Sequence, residues 1–285
     1  MGIDAISLAW IDRLHERGAF HGMKSVFDLG PQDLFFSPRM MEALLRRRSR
    51  SVHPELLEAI FTPSPDSTRR QEAFYRAFGF EMYASCDALD MRAQHKLDLN
   101  RPVRLPATFD CVTNFGTAEH VYSVGQVFES AHQLLAPGGV ALHALPAFGD
   151  VNHGFYNIHP CLYFELGRAN DYEVVDYLYV DNMHVRRLRQ EVCPEADQLA
   201  GLAGRYGPRM PQIALSRELS RQYASNVLSE ETQIYLAGDP GGHVVDYCFA
   251  ALRKASGDDR PFVFPFQHAD AVWAEPLRRC PLVTP

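Results

Sequence analysis

The chain has six cysteines, at 86, 111, 161, 193, 248 and 280, and no two of them form a C-x-x-C pair. That spacing excludes a structural zinc of the paired-thiolate kind and a disulfide framework. It points to a reducing compartment, the cytoplasm. Cys111 and Cys248 fall inside apolar runs, where a thiol serves as a small hydrophobe. No apolar run approaches the length of a membrane span. The N-terminus, MGIDAISLAWIDRL, lacks the basic region and apolar core of a secretion signal, and Ile6 breaks the myristoylation pattern. Long basic runs are missing too. The densest positive patch, RRRSR at 46–50, follows the apolar run MMEALL and reads as a solvated helix end, where cations are favourable. With a formal net charge of -7, the balance argues against a nucleic-acid partner and against an acidic membrane surface. Internal repeats and low-complexity stretches are also absent.

What is present is an ordinary globular composition, 46% hydrophobic and 22% charged over 285 residues. That length suits one α/β domain with insertions, or at most two domains. The segment TFDCVTNFGTAEHV, residues 108–121, is the most telling. Its apolar run ends in small and polar residues, then in Glu119 and His120. A buried parallel strand looks this way where its C-terminal end opens into a site. Residues 24–30 (KSVFDLG) form a second such strand, ending in Asp28 and Gly30. Residues 137–146 (PGGVALHALP) contain a third.

Along the chain, apolar spacing predicts an amphipathic helix over 3–17. Helices follow at 38–48 and 54–61. The break TPSPD at 62–66 precedes another, capped at Asp66 or Ser67 and ended by Gly79. Strands are expected at 80–86, 96–100, 109–114 and 140–145, a helix over 121–135, and a helix over 160–169. Residues 172–180 and 243–254 read as the last two strands. Tyr172, Tyr177 and Tyr179 serve strand packing. The tail, with its PFVFPF stretch, packs across the surface. This alternation implies a Rossmann-like doubly wound α/β fold: a mostly parallel, seven-stranded sheet with an antiparallel last strand. The expected organisation is an N-terminal helix or cap over 1–23, a core over 24–180, an insertion over 181–242 acting as lid or oligomer contact, and a last strand and tail over 243–285.

The order of strands and strand-end residues resembles class I S-adenosylmethionine-dependent methyltransferases over residues 25–254. DLGPQDL, at 28–34, stands at the family's first-strand turn. The resemblance implies S-adenosylmethionine as cofactor, held by Asp28, Gly30 and Gln32 at that turn. Asp87 would hold the ribose hydroxyls, and Asp98 and Leu99 the adenine. Asn114, Phe115 and Gly116 would line the methionine part. A carboxylate suits a vicinal diol, since it accepts two hydrogen bonds. Gly30 lets the main chain come close, and carboxylates favour a cationic sulfonium. The turn departs from the family in one respect: Gly30 alone remains, with Pro31 and Asp33 where further glycines are usual.

Two segments are candidates for the chemistry. Glu119 and His120 open a helix at the mouth of the sheet. A neutral imidazole takes a proton near neutral pH, so His120 is a candidate base, the alternative being a packing role beside an N-terminal helix acid. AFGDVNHGFYNIHP, at 147–160, is longer and more polar than an ordinary strand-to-helix connection. A variant group of bacterial methyltransferase-like proteins has a similar stretch. His153 joins His120 as a catalytic candidate. Glu119, Asn152, Tyr156, Asn157 and His159 are candidates for substrate binding. The alternative is an ordered turn that caps the helix at Pro160. His153 and His159 with Asp150 do not match a familiar ligand spacing, so no metal is expected. The expected function is methyl transfer to a small molecule, with oxygen on a sugar or secondary metabolite favoured by the uncharged polar loop. A homodimer is compatible with the insertion. The rival readings are a degenerate, non-catalytic module that binds a partner, and a nicotinamide-dependent oxidoreductase, whose G-x-G-x-x-G loop is missing here.

Overall fold

The computed structural model describes residues 2–47, 54–62, 68–148, 153–180, 246–257 and 260–266. The chain enters as a short strand, β1 (Gly2–Asp4), and helix α1 (Ala5–Glu16). Then come β2 (Ser25–Leu29), β3 (Asp33–Phe35), and helices α2 (Pro38–Arg47), α3 (Pro54–Phe61) and α4 (Arg69–Arg76). After β4 (Met82–Cys86) come β5 (Phe109–Phe115), helix α5 (Val124–Leu134), β6 (Leu135–Phe148), helix α6 (Cys161–Ala169), β7 (Glu173–Val180) and β8 (Asp246–Arg253).

Strand residues alternate between two faces, and helices cover both. Val26, Cys111, Phe115, Val140, Leu142, Phe249 and Ala251 meet α1 to α4 in one core. Phe27, Leu29, Val112, Ala141, Leu145, Ala250 and Leu252 point the other way, into a second core with α5 and α6. Burial on both faces is why these strands read as near-continuous apolar runs. The sheet order is β4-β2-β5-β6-β8-β7. β4, β2, β5 and β6 are mutually parallel, and β8 runs antiparallel to both β6 and β7. This is a Rossmann-like doubly wound α/β fold with an antiparallel last strand. The chain leaves β2 for β4 on one side, then returns to β5 on the other. The carboxyl ends of β2 and β5 therefore flank the topological switch point, where such sheets open a crevice.

The main sheet has six strands among the described residues rather than seven. Residues 96–100 are not a strand, and only an isolated bridge between Cys86 and His95 marks the place. The cause is local. Asp98 accepts hydrogen bonds from the main-chain and side-chain nitrogens of Asn100, both at 2.9 Å, and this turn competes with a sheet ladder. A two-stranded sheet was not anticipated: β1 pairs with β3 in parallel. Residues 3 and 4 thus leave the expected helix. Asp4 closes β1 and caps α1, accepting from the Ser7 amide at 2.7 Å. The helix expected over 121–135 starts only at Val124, because 118–120 form a 3-10 turn and Val121 is extended. The N-terminal helix shares the main core: Trp10 is fully buried and packs edge-on against Phe115 and Phe249. The tail at 260–266 does pack across the surface, with the Val263 amide donating to Asn170 at 2.8 Å. Residues 48–50, the capping pair Asp66 and Ser67, Asp150, Asn152 and the insertion at 181–242 lie outside the described residues.

Candidate functional site at the switch point

β2 ends in a turn that is built around Asp28. This carboxylate is fully buried. It accepts from Tyr75 Oη at 2.6 Å, Tyr83 Oη at 3.0 Å, the Thr113 hydroxyl and the Gln32 amide. Burial pushes its carboxyl up to about 6, and the four donors hold it from rising further. Asp28 thus organises the turn from inside. Gly30 follows with φ +88, and a Cβ there would meet Thr117 Oγ1 at 2.7 Å. Glycine is required for both reasons. Thr117 in turn donates to the Leu29 carbonyl. The first-strand turn and the segment after β5 are therefore in direct contact.

The missing glycines have a structural explanation. Gln32 is buried, and its side-chain amide donates to the Gly30 carbonyl at 2.6 Å. Gln71 reaches over and donates to the Gln32 main-chain carbonyl at 2.6 Å. The chain then runs straight into β3, so no helix starts at this turn. Asp33 forms an ion pair with Arg92, which also holds Asp90 through two nitrogens. Arg92 ties the loop after β4 to the loop after β2. Nothing in its local spacing marks Arg92, and Thr117 is marked only as part of the small and polar end of the 108–121 run.

On the β4 side, Asp87 is half-buried at the strand end. Its Oδ1 accepts from the Leu89 and Asp90 amides at 2.7 and 2.8 Å. No described group donates a hydrogen bond to Oδ2, which leaves an acceptor for a diol. Asp98 behaves differently. It is exposed, and hydrogen bonds from Asn100 lower its carboxyl pKa. Leu99 is buried in the second core.

Asn114 is fully buried on β5. Its side-chain oxygen accepts from the Ala118 amide at 3.1 Å, and its nitrogen lies 3.2 Å from His143 Nδ1. Burial pushes the His143 imidazole down to about 3, so it is neutral and accepts from Asn114. Phe115 is buried against Trp10. Gly116 has φ +68 and donates to the Ala144 carbonyl at 2.9 Å. Asn114 and Phe115 thus shape the turn from within, and Gly116 supplies its backbone conformation.

That turn delivers Glu119 and His120. The Glu119 carbonyl accepts from the amides of Phe155 and Tyr156 at 2.7 and 3.3 Å, which fastens 153–156 onto 118–120. Gly154 makes this approach possible, since a Cβ there would lie 2.9 Å from Glu119 Cγ. Glu119 is buried, whereas His120 and His153 are exposed. Their imidazoles meet edge-on with centroids 4.7 Å apart, and His120 Nε2 is 4.0 Å from Glu119 Oε1. One ligand atom from each of the three lies within 4.8 Å of the others. Beside them, Tyr122 and Phe155 expose their rings, 6.4 Å apart and edge-on. Tyr156 Oη donates to the Tyr122 carbonyl at 2.7 Å. Asn157 is exposed nearby in the chain. His159 turns away to its own helix: its Nδ1 accepts from the Cys161 amide at 3.2 Å, at the start of α6.

No protein-family model matches the chain, and no curated protein matches it in sequence. Solved structures do align with it. The [4+2]-cyclase SpnF aligns at TM-score 0.41 and 15% identity, over 88% of this chain and 82% of the other. Coclaurine N-methyltransferase, bound to N-methylheliamine and SAH, aligns at 0.41 and 12%, over 87% and 72%. The 1,6-didemethyltoxoflavin-N1-methyltransferase of Burkholderia thailandensis aligns at 0.40 and 14%, over 86% and 79%.

Proposed function

We propose that the chain is an S-adenosylmethionine-dependent methyltransferase acting on a small molecule, with an oxygen acceptor on a sugar or secondary metabolite as the finer reading. The carrying observation is the contact of Gly30 with Thr117 at the switch point, which joins the first-strand turn to the segment holding Glu119 and His120. The residues fit the cofactor in two places. Asp87 offers Oδ2 at the end of β4, and the bare main chain at Gly30 allows close approach. S-adenosylmethionine would supply an electrophilic methyl on a sulfonium. The chain's own residues then have three tasks. Asp87 binds a diol, the exposed rings of Tyr122 and Phe155 hold an acceptor, and His120 or His153 takes the proton from its hydroxyl. Methyl transfer asks mainly for in-line placement, so positioning supplies much of the rate. The uncharged polar character of 152–159 favours hydroxylated acceptors over charged ones.

A second reading is a non-catalytic module built on the same fold. The turn held between β2 and β3 and the exposed Asp98, already occupied by Asn100, favour it. A nicotinamide enzyme is disfavoured, because the first helix after β2 begins at Pro38, beyond β3, and offers no N-terminus to a pyrophosphate at this turn. Calorimetric titration with S-adenosylmethionine and S-adenosylhomocysteine separates the two leading readings. Binding that is lost in Asp87→Ala supports the enzyme, and a panel of hydroxylated acceptors then tests the finer reading. No binding of either ligand removes the enzyme reading and leaves the module.

A further inference from the structure

We propose that Glu119, His120 and His153 form a binding site for a divalent first-row transition-metal ion, of which zinc is the natural probe. The proposal stands on these three side chains and not on the cofactor reading; with the ion bound both imidazoles are ligands, and the base role given to them above belongs to the protein without it.

Two imidazoles and one carboxylate are a borderline donor set. They suit zinc, iron, cobalt or nickel better than magnesium, which prefers oxygen alone. The three come from two segments, 118–120 and 153–156, and neither segment is free to drift. The Glu119 carbonyl receives both the Phe155 and the Tyr156 amide. Gly154 lies flat against the Glu119 side chain, where any Cβ would collide. The carboxylate sits at the base of the cluster, 1% exposed, and the imidazoles stand above it at the surface.

The distances agree with an ion-free form of such a site. Ligand bonds of about 2.1 Å in a tetrahedral arrangement put ligand atoms roughly 3.4 Å apart. Here Glu119 Oε1 and His120 Nε2 are 4.0 Å apart, and all three ligand atoms fall within 4.8 Å. Closing the difference asks the two exposed imidazoles to turn toward the carboxylate. Three protein ligands leave a fourth position open, and the exposure of both imidazoles puts it toward solvent. An oxygen donor, water or the hydroxyl of a small molecule, takes that position, and a bound oxygen loses its proton more readily.

The site is tested by titrating chelator-stripped, tag-free full-length protein with zinc by calorimetry, and with cobalt while following its visible absorption. One equivalent of zinc with a dissociation constant near or below about 1 μM is expected, with cobalt giving the intense bands of a four-coordinate ion. His153→Ala and His120→Ala should each weaken zinc by at least ~100-fold. Both residues are exposed, so thermal melts without metal should match the parent. His21→Ala, at an exposed histidine remote in sequence from both segments, should bind as the parent does. Failure of the parent to take up one equivalent overturns the proposal. So does uptake that survives both His153→Ala and His120→Ala, because the ion would then sit elsewhere. Neither outcome touches the cofactor titration, which is run without metal.

Discussion

Asp28 on β2 and His143 on β6 carry opposite liabilities on the two strands that flank β5. The Asp28 carboxyl is raised to about 6 by burial, from an ordinary value of 3.8. Its contribution to stability is thus fully present below pH 3.8 and lost as pH rises through 6. The shift corresponds to about 3 kcal/mol at ~1.4 kcal/mol per pH unit. Asp28→Asn removes this dependence. Its stability relative to the parent should improve by about that much between pH 3.5 and pH 7, as urea unfolding at the two pH values would show. A constant difference would mean that Asp28 titrates normally. His143 has the opposite sign. Burial lowers it from 6.5 to about 3, so its contribution is present above pH 6.5 and fades as pH falls toward 3. His143→Asn should lose its disadvantage in acid, readable in the same unfolding series. Gly30→Ala faces a positive φ and the Thr117 hydroxyl together. A cost of about 1–2 kcal/mol from the backbone alone is expected in a thermal melt, with weaker binding of S-adenosylhomocysteine. Gly30 and Asp28 were legible in the sequence because an acid and a glycine at a strand end have few other uses. That Asp28 faces inward was not, since its three hydroxyl donors come from Tyr75, Tyr83 and Thr113, far along the chain.

Helix α1 is attached to the sheet by one acid. Asp176 on β7 is fully buried and accepts from Trp10 Nε1 at 2.9 Å, while Arg17 Nη1 lies at 3.2 Å and Arg13 Nε at 3.6 Å. Burial raises its carboxyl, and the two guanidiniums oppose that. Asp176→Ala strands a buried Trp10 N–H and takes a buried carboxylate away from Arg13. A loss of about 3–5 kcal/mol is expected by chemical denaturation, and Asp176→Asn should recover part of it. A loss below about 1 kcal/mol would show that the apolar contacts of Trp10 hold α1 in place without Asp176. The helix itself was legible from its apolar spacing, but its partner strand was not, because Trp10 and Asp176 are remote in the chain. Three-residue strands such as β1 and β3 carry too few positions to show a period. The opposite error occurred at 96–100, where Leu97 and Leu99 alternate as in a strand and the Asp98–Asn100 turn overrides them.

Across the whole molecule, Cys86, Cys111 and Cys248 sit deep between the two helical layers. Burial pushes the thiols of Cys86 and Cys248 up to about 12, and Cys111 well above its usual range. The thiolate is the reactive form, so these three should resist iodoacetamide until the protein unfolds globally. Peptide mass spectrometry with and without denaturant would show it. Rapid labelling of any of the three in the native protein would contradict the packing described. The doubly wound plan was legible because strands buried on both faces write themselves as apolar runs with polar ends. The cluster of Glu119, His120 and His153 was only half legible, since its third member arrives through a hydrogen-bonded loop and not through spacing. One feature of the sheet also bears on how the chain is made. Among the described strands, β7 pairs only with β8, and β8 comes last while lying between β6 and β7. During synthesis β7 therefore emerges with its partner still unmade, and at roughly 5–20 residues per second the wait lasts several seconds. Its run of Val174, Val175, Tyr177, Leu178, Tyr179 and Val180 stays without an edge to join for that time. That edge is closed only when residues 246–253 leave the ribosome.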